Sequence, residues 1–395
     1  MSRRERLFLP AISLVRFSSN LPGILTGLLL IEIAGSFGTN VGVMGQIRTM
    51  SSGVSVVACF LVGVMCVWFG HKLLFVVGLG LLSVSAYLCY IAASFEFMLV
   101  AFSLSGVGMA FVGPIGMALI AKHVPRDRRP SAVGWTMAAA ALAYLVGAPA
   151  FAFIAGIGGW RLAFLGFVLP FSLLSLVSSY LVLPSEAKGE GNPSSGGVVE
   201  ALKAVGTNLS ASACMVTTAI VIATWSVHLV FSSSFLRQTF GLSRGFVSLS
   251  TIVGASSYIV GSVLSGRVVN RYGRRRVALL VSVPAGLMLL LYYNMPNLWV
   301  TLGLSYGACV LFGMLHAANT NLSLEQIPAF RGTMMSLNQA AGNFGSTLVV
   351  MLGGWALLEY GYRYLGVLIA VLNLLAFVVY WLMVKDPLSD LGTGD

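Results

Sequence analysis

Two short segments share matching glycines, and basic residues follow the second glycine in each. Residues 266–275 read GRVVNRYGRR and residues 63–72 read GVMCVWFGHK, so each segment has glycine at its first and eighth positions. The segments start 203 positions apart in a chain of 395 residues. Glycine lets helices and a tight turn approach closely, and basic side chains stay on the aqueous side of a membrane. The pair indicates two related halves with the same turn between two helices.

The same offset recurs along most of the chain. The matching pairs are Phe37-Gly38 with Phe240-Gly241, Gly42 with Gly245, Pro125 with Pro328, Arg128 with Arg331 and, at an offset of 202, Arg161 with Arg363. A nearly constant offset along a chain indicates an internal repeat. Two parallel repeats that flank a site at the middle of the membrane are typical of secondary transporters.

The composition predicts that lipid surrounds most of the chain. Hydrophobic residues make up 57% and charged residues 9% of the sequence, whereas a soluble domain has about 25% charged residues. Long apolar runs favour membrane helices over the short alternating segments of a β-barrel. The net charge of +11 comes from short basic blocks between these runs, as in loops on one side of a membrane. We therefore expect a lipid bilayer, and no nucleic acid, as partner.

Twelve stretches are long and apolar enough to cross a bilayer, which takes about 20 residues. The predicted helices are 13–36, 43–66, 73–93, 97–121, 131–156, 162–183, 209–233, 245–266, 276–293, 298–322, 333–357 and 364–384. The sequence thus predicts an all-α integral membrane protein made of two pseudo-symmetric six-helix bundles.

A segment rich in glycine, serine and proline separates the two bundles. This composition is typical of a linker and divides the chain into a domain at 1–183, a cytoplasmic linker at 184–203 and a domain at 204–395. Of the 23 Lys and Arg residues, five fall on the side opposite the N-terminus, namely Arg48, Arg161, Arg237, Arg244 and Arg363. The asymmetry predicts cytoplasmic N- and C-termini in the cell membrane.

The glycine-rich segments resemble the loop between the second and third helices of major facilitator superfamily transporters, which reads roughly G-x-x-x-D-R-x-G-R-R/K. The matching residues are Gly63, Gly70 and Lys72 in the first copy, and Gly266, Arg271, Gly273, Arg274 and Arg275 in the second. Gly159-Trp160-Arg161 and the stretch from Arg331 to Leu337 are similar to segments of bacterial drug and metabolite efflux members. The resemblance covers nearly the whole chain. It implies the major facilitator fold, alternating access, efflux and a working monomer.

The chain departs from the family pattern at several positions. Val67 and Trp68 stand where the first loop has its acid and arginine, and Asn270 stands at the acid of the second loop. The arginine and glutamine of the fourth-helix motif R-x-x-Q-G align with Phe102 and Ser105. The coupling ion, with protons as the candidate, therefore stays open.

Two charged residues of the first half are candidates for substrate or proton binding, because polar groups inside a bundle are costly and mark function. Glu32 is the only acid well within a first-half span, and it can bind and release a proton or simply face water at the interface. Arg48 can pair with Glu32, attract an anionic substrate or extend to the membrane surface. We expect Arg16, near the inner end of the first helix, at the interface.

The second half offers two further groups of polar residues. Trp225 and His228 are three positions apart, so they share a helix face and can stack on or hydrogen-bond a ring or a hydroxylated solute. Similar spacings join His316 with Asn319 and Gln339 with Asn343. These residues can line a cavity. The alternative for Trp225 and His228 is a packed aromatic ring beside a histidine with its hydrogen bonds made. The alternative for the other residues is hydrogen bonding between helices.

The sequence predicts a secondary active transporter that moves a small organic solute by alternating access. Efflux is favoured, and the alternatives are an uptake permease or facilitator for a sugar, nucleoside or organic anion, and a non-transporting membrane sensor. The chain has no P-loop, HExxH or GxSxG motif, so neither ATP nor enzymatic chemistry is indicated. We expect no cofactor and no metal site.

Overall fold

The computed structural model describes residues 3–124, 129–183, 203–327 and 331–387. All regular structure in these residues is helical, so the predicted all-α fold is confirmed for the described part of the chain. Residues 184–202 of the predicted linker lie outside it.

The chain forms two compact units. The first unit comprises Met1–Asn192 with Leu242–Ile252, and the second comprises Pro193–Gly241 with Val253–Asp395. The described helices up to the linker are α1 (Arg3–Leu28), α2 (Leu30–Ser36), α3 (Val41–Met44), α4 (Gln46–Trp68), α5 (His71–Ile91), α6 (Phe95–His123), α7 (Arg129–Ala163), a π-helical turn (Phe164–Val168) and α8 (Leu169–Val182). Those after it include α9 (Leu209–Phe240), α10 (Arg244–Tyr272), α11 (Arg274–Tyr292), α12 (Leu298–Gln326), α13 (Arg331–Tyr360) and α14 (Tyr362–Leu382).

Ten stretches of the described residues are long and apolar enough to cross a membrane. One of them, Ala138–Val182, has 45 residues and is interrupted by non-helical backbone at Gly158 and Gly159, so it holds two of the predicted helices. The spanning role of α4, a helix of 23 residues, stays a prediction. Large exposed apolar side chains, among them Trp299 at 73% and Phe153 at 71% exposure, suit a surface in contact with lipid.

Small residues let neighbouring helices pack backbone against backbone in both units. In the first unit, α4 packs on α6, and a Cβ atom at Gly106 of α6 would overlap the carbonyl oxygen of Ser51. In the second unit, a Cβ atom at Gly313 of α12 would overlap the carbonyl oxygen of Tyr258 in α10. Such close approach is the usual role of small residues between membrane helices.

The 203-residue offset corresponds to two turns of the same construction. Gly38 and Gly241 have φ of +64° and +66°, a left-handed conformation that favours glycine after a helix end. Two residues later, the side chain of Asn40 accepts a hydrogen bond from Val43 N at 2.9 Å, and Ser243 Oγ accepts one from Phe246 N at 3.3 Å. Both caps satisfy an amide at the start of the next helix. The repeated glycines therefore reflect repeated backbone geometry.

We predict that Gly106→Ala lowers the thermal stability of the purified protein in detergent. The added methyl group meets the fixed backbone of Ser51 rather than a flexible side chain, so about 1–3 kcal/mol should be lost. The matched control is Gly113→Ala in the same helix, where a Cβ atom meets nothing within 4 Å. Equal melting temperatures for the two variants would contradict the close packing of α4 on α6.

Candidate functional site

The carboxylate of Glu32 lies beside a guanidinium within the first unit. Glu32 Oε1 is 3.4 Å from Arg244 Nε, and the side chains are 20% and 37% exposed, respectively. Arg244 Nη1 also donates a hydrogen bond to the carbonyl oxygen of Ala155 at 3.1 Å. Glu32 and Arg244 thus form a partly exposed ion pair between α2 and α10.

Trp160 and Arg161 hold the surrounding helix ends. Gly159 precedes them with φ of +76°, which turns the chain between the two parts of α7. The indole Nε1 of Trp160 donates to Ser36 Oγ at 3.1 Å, and Arg161 Nη2 donates to the carbonyl oxygen of Ala92 at 2.8 Å. The Arg161 guanidinium also lies 4.4 Å from the Trp160 ring centroid, a cation–π contact. The Trp160 bond fixes the last turn of α2, whose first turn carries Glu32.

Arg48 lies elsewhere in the first unit, with its guanidinium against the backbone of α1. A Cβ atom built on Gly23 would be 2.6 Å from Arg48 Nη1 and 3.6 Å from its Cζ. Tyr144 of α7 interacts electrostatically with the same guanidinium. The role of Arg48, as a partner of Glu32, an anion-binding residue or an interfacial residue, stays a prediction.

Aromatic rings from three helices of the second unit surround Trp225. We call Trp225, His228, Tyr258, Phe312 and His316 the aromatic cluster. Trp225 stacks on Tyr258 with 4.9 Å between centroids and lies 5.5 Å from Phe312 and 5.6 Å from His228. Tyr258 also meets His316 edge-on at 6.4 Å. The three-residue spacing of Trp225 and His228 thus brings their rings together, and His316 reaches the same group through Tyr258.

The imidazole of His228 is the polar member at the buried side of the aromatic cluster. The residue is 4% exposed, and its ring lies edge-on to Tyr292 at 5.2 Å. In the described part of the chain, Nδ1 of His228 is buried without a hydrogen-bond partner. Next to a half-buried tryptophan, this arrangement can stack on a ring and hydrogen-bond a hydroxyl group.

Asn319 belongs to a hydrogen-bond network between helices. Its Oδ1 accepts bonds from Thr217 Oγ1 at 3.0 Å and from the Tyr380 hydroxyl at 2.7 Å, and its Nδ2 donates to Thr218 Oγ1 at 2.7 Å. The residue is 3% exposed. These bonds join α12 to α9 and α14, which favours the packing alternative for Asn319 over cavity lining.

Gln339 and Asn343 form a pair on one face of α13. Gln339 Nε2 donates to Asn343 Oδ1 at 3.2 Å. Gln339 is exposed and Asn343 is partly buried. Their four-residue spacing accounts for the contact.

The basic residues of the two glycine-rich loops bind carbonyl groups at helix ends. Lys72 Nζ donates to the carbonyl oxygen of Leu183, which follows α8, at 2.6 Å. Arg275 Nε and Nη2 donate to the carbonyl oxygens of Tyr380 and Trp381, in the last turn of α14, at 3.1 and 2.6 Å. The last carbonyls of a helix lack intrahelical partners, so cations stabilise them. Lys72 and Arg275 are themselves 203 positions apart.

Other loop residues occupy turn and surface positions. Gly70 and Gly273 precede α5 and α11, and Gly273 has φ of +82°. Gly266 is exposed, and the Arg271 guanidinium lies 5.4 Å from the Tyr272 ring. Nη1 of Arg274 is buried without a hydrogen-bond partner among the described residues. Arg128, the surroundings of Gly63 and the side chains of Asn270 and Arg331 lie outside what the structure describes.

The sequence matches a family described as the Major Facilitator Superfamily over residues 11–257 and again over residues 214–394. The chain belongs to this superfamily. It is 24% identical to the uncharacterized MFS-type transporter YwfA of Bacillus subtilis (strain 168), over 93% of this chain and 90% of that protein. It is 26% identical to multidrug resistance protein 1 of the same organism, over 59% and 61% of the two chains.

The fold is likewise similar to that of a solved major facilitator structure. A D-xylose-proton symporter superposes with a TM-score of 0.77 at 16% identity, over 97% of this chain and 98% of that one. The chain is therefore a multi-pass membrane protein of a transporter family with the major facilitator fold, and it is not an enzyme.

Several residues at these sites carry no signal in the sequence of this superfamily member. Tyr258 and Phe312 lie on helices other than that of Trp225, so no spacing connects them to it. Arg244 is separated from Glu32 by more than half of the chain, and a charge search restricted to one half misses the pair. Gly23 resembles the many other helix glycines. Only the packed structure distinguishes it.

We predict that Asn319→Ala destabilises this transporter without changing which solute it accepts. The substitution removes the Asn319 acceptor of the buried Tyr380 hydroxyl, which costs about 1–3 kcal/mol. Thermal unfolding in detergent measures the effect, and Asn343→Ala, which removes the acceptor of the exposed Gln339 amide, should cost less. If Asn319→Ala melts at the wild-type temperature but alters solute selectivity, Asn319 lines the solute path instead.

Proposed function

We propose that this chain is a secondary active transporter that exports a small organic solute by alternating access, with proton coupling through Glu32. Two six-helix domains, 1–183 and 204–395, joined by a cytoplasmic linker at 184–203, would alternate access to the solute. The transporter would act as a monomer in the cell membrane, with both termini in the cytoplasm. Membership of the superfamily supports the transport function.

The ion pair between Glu32 and Arg244 supports proton coupling. A coupling carboxylate must alternate between a charged and a protonated form during the cycle. Glu32 has a cation 3.4 Å away, and movement of Arg244 would remove this partner. The pair thus supplies two environments for one carboxylate, provided that Arg244 moves.

Two directions of transport follow from the relatives. One relative is called a multidrug resistance protein, which supports export, whereas the structural relative is a symporter of D-xylose and protons, which supports uptake. The second candidate function is uptake or facilitated diffusion of an organic anion. The position of Arg48 against α1 favours it.

We predict that a pH gradient drives solute accumulation in proteoliposomes and that Glu32→Gln abolishes it. Glutamine keeps the size and hydrogen-bonding groups of glutamate but cannot bind and release the proton. The measurement is counterflow of a mixed panel of labelled anionic, neutral and cationic solutes, with and without an imposed pH gradient. Exchange without a gradient should survive in the variant, because that exchange needs no net proton movement.

The control is Glu96→Gln, which removes an exposed carboxylate in the first turn of α6. It should behave as the wild type. Gradient-driven accumulation that persists in Glu32→Gln would reject Glu32 as the coupling residue. Absence of flux for every solute in the panel would reject transport and favour a membrane sensor.

A further inference from the structure

Two arginines inside the first unit lack a carboxylate partner among the described residues. Arg16 lies in α1 and Arg48 in α4, and Glu32 is the only acid within the predicted first-half spans. Glu32 lies against Arg244. Moving an unpaired charge from water into a protein interior costs several kcal/mol. Two uncompensated positive charges therefore require a reason other than packing.

Basic residues with a structural role in this protein donate hydrogen bonds to backbone carbonyls. Four described basic residues at helix ends donate to a backbone carbonyl at 2.6–3.1 Å, namely Lys72, Arg161, Arg244 and Arg275. Arg16 and Arg48 make no such side-chain bond to a described residue. The Nε of Arg16 is buried without any hydrogen-bond partner in the described chain. Their donors are thus available to a ligand.

Helix geometry places both guanidiniums along one face of α1. Gly23 follows Arg16 by seven residues, which is about two helical turns or roughly 10 Å along the axis. The guanidinium of Arg48 lies directly against Gly23, with 2.6 Å between Nη1 and the position of an added Cβ atom. Because a glycine stands here, α4 can bring its arginine onto the face of α1 that carries Arg16.

Tyr144 of α7 completes the group. It interacts electrostatically with both arginines. One turn further along α7, an added Cβ atom at Gly147 would be 3.1 Å from Leu21 of α1, so the two helices pack closely here. The phenol hydroxyl is a hydrogen-bond donor that remains protonated at neutral pH. Three helices thus contribute two cations and one neutral donor to one region.

We propose that Arg16, Arg48 and Tyr144 bind the carboxylate or phosphate group of an organic anion, and that such anions are the substrate class. This inference rests on the proposed transport function. A guanidinium keeps its charge at any relevant pH, and its planar donors match the oxygens of a carboxylate or phosphate. The bound anion supplies a negative charge that the described residues do not place beside these arginines. The ligand thereby compensates two partly buried cations.

The first test measures binding to the purified full chain in detergent by thermal stability. The probes are benzoate and phenyl phosphate, with benzamide and benzyl alcohol as uncharged partners. We expect the anions, but not the uncharged compounds, to raise the melting temperature in a saturable manner. The anion that raises the melting temperature more shows whether the site prefers a carboxylate or a phosphate group. Equal effects of benzoate and benzamide, and of phenyl phosphate and benzyl alcohol, would overturn the inference even if no variant folds.

The second test uses variants. Arg16→Gln and Arg48→Gln should each weaken anion binding roughly 10- to 100-fold, the value of a hydrogen bond to a charged group. The control Arg363→Gln removes an exposed arginine at the start of α14 and should bind as the wild type. An equal loss in Arg363→Gln would indicate general charge attraction and contradict the site.

Gly23→Ala tests the geometry while leaving every charge in place. The three atoms nearest to the added methyl group all belong to the end of the flexible Arg48 side chain, so the fold should persist while the guanidinium is displaced. We expect about a tenfold loss of anion affinity, in line with the sensitivity of bound ligands to small misplacements. Wild-type affinity in a folded Gly23→Ala protein would refute the placement of Arg48 in the site.

Counterflow of labelled benzoate and phenyl phosphate separates this inference from the proposed function. Anion binding without flux of any solute would support the site and reject transport. Flux confined to uncharged or cationic solutes, without anion binding, would support transport and overturn the site.

Discussion

The bilayer offers no water to polar groups, so each charge within the spans must be compensated by the chain or by a ligand. Most charges of this transporter that contact backbone do so at helix ends, where carbonyls need donors. Lys72 and Arg275 bind the ends of α8 and α14, and Arg161 binds the end of α5. Arg16 and Arg48 are different, because they lie along helices and have no carboxylate partner in the described part of the chain. The same constraint that explains the anchoring cations makes these two candidates for a ligand.

The two halves use the same local structures. A glycine in the left-handed conformation, followed by a capping side chain, forms the turn at Gly38 and again at Gly241. A hydrogen bond from a basic loop residue to a carbonyl at a helix end is made by Lys72 and again by Arg275. The repeat preserves backbone geometry. The polar residues differ: the first unit carries arginines and a tyrosine, whereas the second carries the aromatic cluster.

The sequence predicts the elements that depend on local chemistry. Apolar runs predict the helices, the glycine offset predicts the equivalent turns, and a spacing of three residues predicts the contact of Trp225 with His228. It does not predict the interruption of the first helix at Leu29 or the π-helical turn at Phe164–Val168, because no proline or glycine marks the start of either.

Contacts between helices escape prediction for a different reason. Tyr144 and Gly23 come together with Arg48 only through the packing of α1 against α7 and the reach of the Arg48 side chain to α1, and no spacing in the sequence records it. Arg16, expected at the membrane interface, has a buried Nε without a partner among the described residues. Asn319 has the spacing of a cavity residue, yet its amide is used by Thr217, Thr218 and Tyr380.

The most direct test of the account is the charge that the reconstituted protein moves. Proteoliposomes on a solid-supported membrane report charge displacement when a solute is added rapidly. The account predicts a current on addition of benzoate or phenyl phosphate that is reduced in Arg48→Gln and absent from protein-free liposomes, and no current with benzamide. A protein that transports benzamide but gives neither anion current nor anion uptake would contradict it.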